Sequence, residues 1–98
     1  MAEQICILKL NTGEEILTKT DLDIENPILS KPLKFMVTGV NKNTGQAMVD
    51  LIPFIMGCPE AEGIILMRDA IITIIPEEFV AKQMLDEYLQ RTTAIQLT

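Results

Sequence analysis

Few side chains in this 98-residue sequence have the type and spacing for chemistry. Histidine is absent, which removes the commonest general base, proton shuttle and metal ligand together. Glu14 and Glu15 are neighbours in a strand pattern, so they point to opposite faces and make no catalytic pair. Asp21, Asp23 and Glu25 crowd one loop, and oxygens of that kind suit a hard cation such as calcium. They lack the glycine and the spacing of a calcium-binding loop, so a solvated acidic loop is the expected reading. Cys6 and Cys58 are too few and too far apart for a disulfide framework or a zinc site. No serine or cysteine sits in a nucleophile motif, and no glycine-rich stretch forms a phosphate cradle. The sequence predicts no catalytic residue, no metal and no cofactor, and hence a protein that is not an enzyme.

One constellation stands apart. Between Gly63 and Pro76, two short apolar runs meet at a charged elbow, Arg68-Asp69, and a proline ends the second run. Ile71, Ile72, Ile74 and Ile75 leave the second run without a polar face, so it must be covered on both sides. A chain this short forms one domain with little spare interior. The expected cover is a neighbouring copy of the same chain, and the 48% hydrophobic content points the same way.

The elements that hold the elbow read as strand after strand. Residues 4–10 alternate, with Cys6, Leu8 and Leu10 on one face. Asn11-Thr12-Gly13 is a turn, and a second strand follows from Glu14 to Thr20. After the acidic loop comes a long extended segment, 27–40, in which period two places Leu29, Leu33, Phe35 and Val37 on one inward face. Pro32 marks an edge or a bend in it. A turn at 41–45, a strand at 46–56, a loop at 57–63 and the paired runs 64–68 and 71–75 complete the β region. Pro76 and Glu77-Glu78 suit the start of a helix whose apolar stripe is Val80, Ala81, Met84, Leu85, Tyr88 and Leu89. The expectation is a single domain over 1–98: a small β-barrel at about 3–76, a C-terminal helix at about 77–91 and a loose tail at 92–98.

The net charge of −6 disfavours generic binding to phosphate backbones, DNA included. The N-terminus lacks the pattern of a signal peptide, and no apolar run is long enough to span a bilayer. A cytoplasmic location without membrane contact is the expectation.

Residues 67–76, M-R-D-A-I-I-T-I-I-P, resemble the second motif of the Sm-like (Lsm/Hfq-like) family. The A-I-x-T-φ-φ-P portion coincides at Ala70, Ile71, Thr73 to Ile75 and Pro76. Upstream, N-T-G-E-E-I-L, N-P-I-L and L-I-P-F-I-M are similar to small Sm-like proteins of cyanophage and marine metagenomic origin. The resemblance implies a strongly bent, antiparallel five-stranded barrel and a homo-oligomeric ring of about five to seven copies. Its interface would use Ile71, Ile72 and Ile74 on one side and Ile65 and Leu66 on the other. It also implies single-stranded RNA bound at the elbow by Arg68, Met67 and Asp69, with Asp23 and Asn26 from the acidic loop. Met67 stands where the family has an aromatic residue, and Asp69 where it has His or Gly. A bacterial or phage-infected host cell is the implied setting. The acidic surface and the apolar helix stripe leave an alternative open: a scaffold ring that binds a phage or host protein and no RNA.

Overall fold

The computed structural model describes residues 3–55 and 62–94. The sequence reads into six strands: β1 Gln4–Leu10, β2 Glu15–Thr20, β3 Ile28–Val40, β4 Ala47–Pro53, β5 Glu62–Ile65 and β6 Ile71–Ile75. One helix, α1 Lys82–Ala94, ends the described chain. All pairings are antiparallel. The order is β4-β3-β2-β1-β6, with β5 also on β3. The protein is mainly β with a C-terminal helix, as the sequence predicts. The sheet is not closed into a barrel: its order ends at β4 on one side and β6 on the other. Six strands reconcile with five because β4 pairs with β3 over 33–40 and β5 over 28–30, two parts of one edge.

The β1–β2 hairpin forms because 4–10 and 15–20 alternate and the turn between them places Gly13 at φ +96°. Its inner side chains Cys6, Leu8, Leu10 and Ile16 join Leu29 and Leu66 in one buried cluster, packed further by Ile64, Ala70, Ile71 and Ile74. The opposite face carries Ile5, Leu17, Leu33 and Leu51, and α1 covers it with Tyr88, Met84 and Leu85. Buried Thr18 and Thr20 lie among the strands, and their hydroxyls donate to Ser30 O at 3.0 Å and Ile28 O at 2.8 Å. Neither leaves an unpaired polar atom inside.

Two expectations are corrected. Leu29, Leu33, Phe35 and Val37 do not share a face: Leu29 lies in the inner cluster, Leu33 and Phe35 on the helix side, and Val37 is exposed. The cause is an extra residue in β3. Leu17 pairs with Leu33 but Lys19 pairs with Ser30, and Lys31 between them takes φ +43°. One inserted residue reverses every side chain after it. The second correction concerns the helix, which begins at Lys82 rather than 77. Glu77–Phe79 is a 3-10 turn instead. Glu77 is recruited by β1: its carboxylate accepts from Ile5 N–H at 2.8 Å, and its own N–H donates to Gln4 Oε1 at 2.9 Å. A side chain thus extends the β1–β6 ladder one step beyond Ile75, and the α-helix starts only after that tie.

Much of the expected 57–63 loop and tail segment 95–98 lies outside the described residues. No described helix is long and apolar enough to cross a membrane.

Candidate functional site

The elbow lies between β5 and β6. Leu66 N–H donates to Pro27 O at 2.9 Å, which brings the chain back over the 21–26 loop. Residues 68–70 then make one 3-10 turn, closed by Ala70 N–H on Met67 O at 3.0 Å. Ala70 O accepts from Asn11 N–H at 2.7 Å, fixing the far side of the turn to the β1–β2 hairpin.

Arg68 binds the acidic loop through its backbone. Its Nε donates to Glu25 O at 2.8 Å, and Nη2 donates to Leu22 O at 3.1 Å and Ile24 O at 2.8 Å. Arg68 N–H donates to Asn26 Oδ1 at 3.0 Å. Three carbonyls converge on one guanidinium, a fit for its planar fork. These bonds engage Nε and Nη2. Carbonyl dipoles stabilise the cation without cancelling its charge, and Arg68 forms no ion pair among the described residues.

The result is a cleft of about 500 Å³ lined by Glu25, Asn26, Met67, Arg68 and Asp69. Four of the five residues expected at an RNA site, Arg68, Met67, Asp69 and Asn26, therefore come together. Asp23 does not line the cleft; its N–H donates to Asp21 Oδ1 at 2.9 Å within the loop. Glu25 takes its place at the wall. Sequence reading had no signal for the carbonyl clamp, because Leu22, Ile24 and Glu25 contribute backbone atoms and not side chains.

The chemistry on offer is recognition. Met67 is 58% exposed and gives a soft apolar wall. A planar polar group could lie on it, while the Arg68 guanidinium and the Asn26 amide supply hydrogen bonds. Glu25 and Asp69 add carboxylates that repel phosphate and accept from amino groups. No group of three His, Cys, Asp or Glu among the described residues is placed to hold a metal ion.

The expected interface residues divide into two sets. Ile65 and Ile72 are 57% and 62% exposed. Leu66, Ile71 and Ile74 instead pack into the inner cluster of their own chain. Ile65 pairs across strands with exposed Ile28, making an apolar patch at the β5 end of the sheet.

Comparison of the chain with protein-family models, with curated proteins and with solved structures found no match in any of the three. The functional reading therefore rests on the geometry and on the motif resemblance.

Proposed function

We propose that the chain is a subunit of an Sm-like ring in which the outer edge of β5 in one copy pairs with the outer edge of β6 in the next. The elbow cleft then takes bases of single-stranded RNA. The observation that carries this reading is a matched pair of open edges. β5 and β6 are four and five residues long, and each has one side unpaired among the described residues. Each also turns an isoleucine outward, Ile65 and Ile72. Edges of that kind are normally protected. A head-to-tail contact between two different edges repeats until it closes, which leaves neither exposed.

RNA is favoured at the cleft because the elbow joins the two edges, so a ring would repeat the cleft around its axis. Exposed Met67 and the Arg68 and Asn26 donors suit a base better than a phosphate. Light scattering on the purified chain tests the ring, with a mass of about five to seven chains expected. A single-chain mass at all concentrations would end the proposal. Anisotropy titration with oligo-U and oligo-A at low salt tests the RNA, and saturable binding lost in Met67→Asp is expected.

The second reading, a protein-binding scaffold ring, is favoured by the carboxylates Glu25 and Asp69 at the cleft and by Phe79 and Leu89, which are 73% and 50% exposed. The rest of the expected helix stripe gives it little: Val80 and Tyr88 are buried, and Met84 and Leu85 pack on the core. A ring that binds neither RNA, but whose protein partner is lost in Phe79→Asp, would select this reading.

A further inference from the structure

We infer that the outer edge of β4 pairs with the same edge of a second copy, about a two-fold axis at Met48. The edge is shut at one end and open at the other. Leu51 turns its N–H and C=O away from β3, and both are occupied. The N–H donates to Asp50 Oδ1 at 2.8 Å, and the C=O accepts from Arg91 Nη1 at 2.9 Å. Arg91 Nη2 donates to Asp50 Oδ1 at 2.9 Å and completes the plug.

Period two places the outward rungs of β4 at 47, 49, 51 and 53. Rung 53 is Pro53, which has no N–H to offer. Met48 faces the other way, since its carbonyl accepts from Thr38 Oγ1 of β3 at 3.3 Å. Rungs 51 and 53 are closed by side-chain chemistry; among the described residues Ala47 and Val49 have no such closure, and β4 is an end of the strand order. Lysine, proline and bulges are among the usual guards of a bare edge. Residues 46–50 contain neither lysine nor proline, and the register shift between Val37 and Gly39 puts its extra residue in β3, not on the outer edge of β4.

The side chains there point to the same conclusion. Met48 and Val49 are 48% and 54% exposed, and Met36, Val37 and Val40 of the facing strand are exposed too. A two-stranded ribbon open on both faces is marginal in water; a wider sheet is not.

Self-complementarity identifies the occupant. One antiparallel register of this edge with itself uses both open rungs and neither shut one. It sets Val49 against Ala47 of the partner subunit and Met48 against Met48 of the partner subunit. Asp50 then faces Gln46 of the partner subunit, so like charges do not meet. The two ribbons become one four-stranded sheet. The partner strand lies beside β4 and reaches mainly Met48 and Val49, so the contact stays well below the roughly 800 Å² per partner of a standard interface and is weak. It lies apart from the β5 and β6 edges and does not depend on the ring.

Sedimentation equilibrium of the full chain from about 1 µM to about 1 mM tests the pairing, a range that spans weak interfaces. The wild-type mass should rise with concentration, by doubling if the starting particle is a single chain. Val49→Pro removes an outward N–H without breaking a β3–β4 bond, and Met48→Lys opposes two lysines across the axis. Each should move the rise to about ten-fold higher concentration or beyond, with an unchanged circular dichroism spectrum. Amide exchange at 47 and 49 in the wild type should slow over the same range, a readout that needs no variant. A wild-type mass that stays constant would overturn the inference, even if an added strand peptide binds there. So would a rise unaltered in Met48→Lys, or one abolished by Ile72→Lys and not by Met48→Lys.

Discussion

The inner face of the sheet and the face under α1 are both apolar, but they are sealed by different means. On the inner face, Cys6, Leu8, Ile16 and Leu29 reach zero exposure under strands and loops of the β region itself, among them Leu66, Phe54 and the elbow residues Ala70 and Ile71. On the other face one 13-residue helix must do the covering, and Phe35, Met84 and Leu85 stay half-exposed. Polar ties supplement the packing on that side. Tyr88 Oη donates to Ser30 O at 2.6 Å and accepts from Lys19 N–H at 3.3 Å, at the rung where β3 is bulged. Arg91 holds Leu51 O, and Glu77 holds Ile5 N–H. One face is sealed by the strands, loops and elbow of the β region, whereas an added helix needs hydrogen bonds to fix its position.

Substitutions can break this contrast directly. Leu8→Ala should cost about 2–5 kcal/mol in urea unfolding, because the inner cluster cannot collapse around the void. Met84→Ala should cost about 1 kcal/mol, since half-exposed packing loses less transfer energy. Equal losses would mean the two faces are sealed alike. Tyr88→Phe keeps the ring and removes the hydroxyl, so about 1–2 kcal/mol is expected from the broken rung. Amide exchange at Lys19 should accelerate in the same variant.

Changes of pH sharpen the comparison further. Burial, with a smaller contribution from the Glu77 carboxylate, pushes the Cys6 thiol up to about 11 from 9.0. Its contribution to stability is complete below pH 9 and is lost as pH rises through 11. A Cys6→Ala variant should lack that part of the alkaline decline. The native thiol should also resist alkylation at neutral pH. On the helix side, the Leu51 N–H and then Arg91 hold the Asp50 carboxyl below its ordinary 3.8. Its stabilisation is present above pH 3.8 and fades as pH falls below it, an effect kept small because the Asp50 side chain is exposed to solvent. Asp50→Asn should flatten that acid limb slightly, as read by thermal unfolding between pH 2 and 5.

Local alternation made the β1–β2 hairpin legible in the sequence, turn-forming residue types did the same for 41–45, and an apolar run ended by Pro76 did so for the last strand. Cys6, Leu8 and Leu10 announce their face without help from elsewhere. The face reversal in β3 was not legible, because it depends on Lys31 accepting a left-handed backbone, which is uncommon outside glycine. Pro32 signalled an edge or a bend, and not the change of face beside it. The helix start was misplaced because Glu77, a good first-turn residue by type, is captured by a backbone 72 positions away. At the elbow, residue types pointed to Asn26, Met67, Arg68 and Asp69. The tie of Arg68 to three carbonyls needed the loop's path in space.

The left-handed backbone of Lys31 has a mechanical consequence. It divides β3 into a segment paired with β5 and a segment paired with β4, with β2 running beside both. A misalignment of the long hairpin can stop at that joint and leave the inner cluster undisturbed. The strand is in effect two short rods, and the side that each presents to the core is chosen separately.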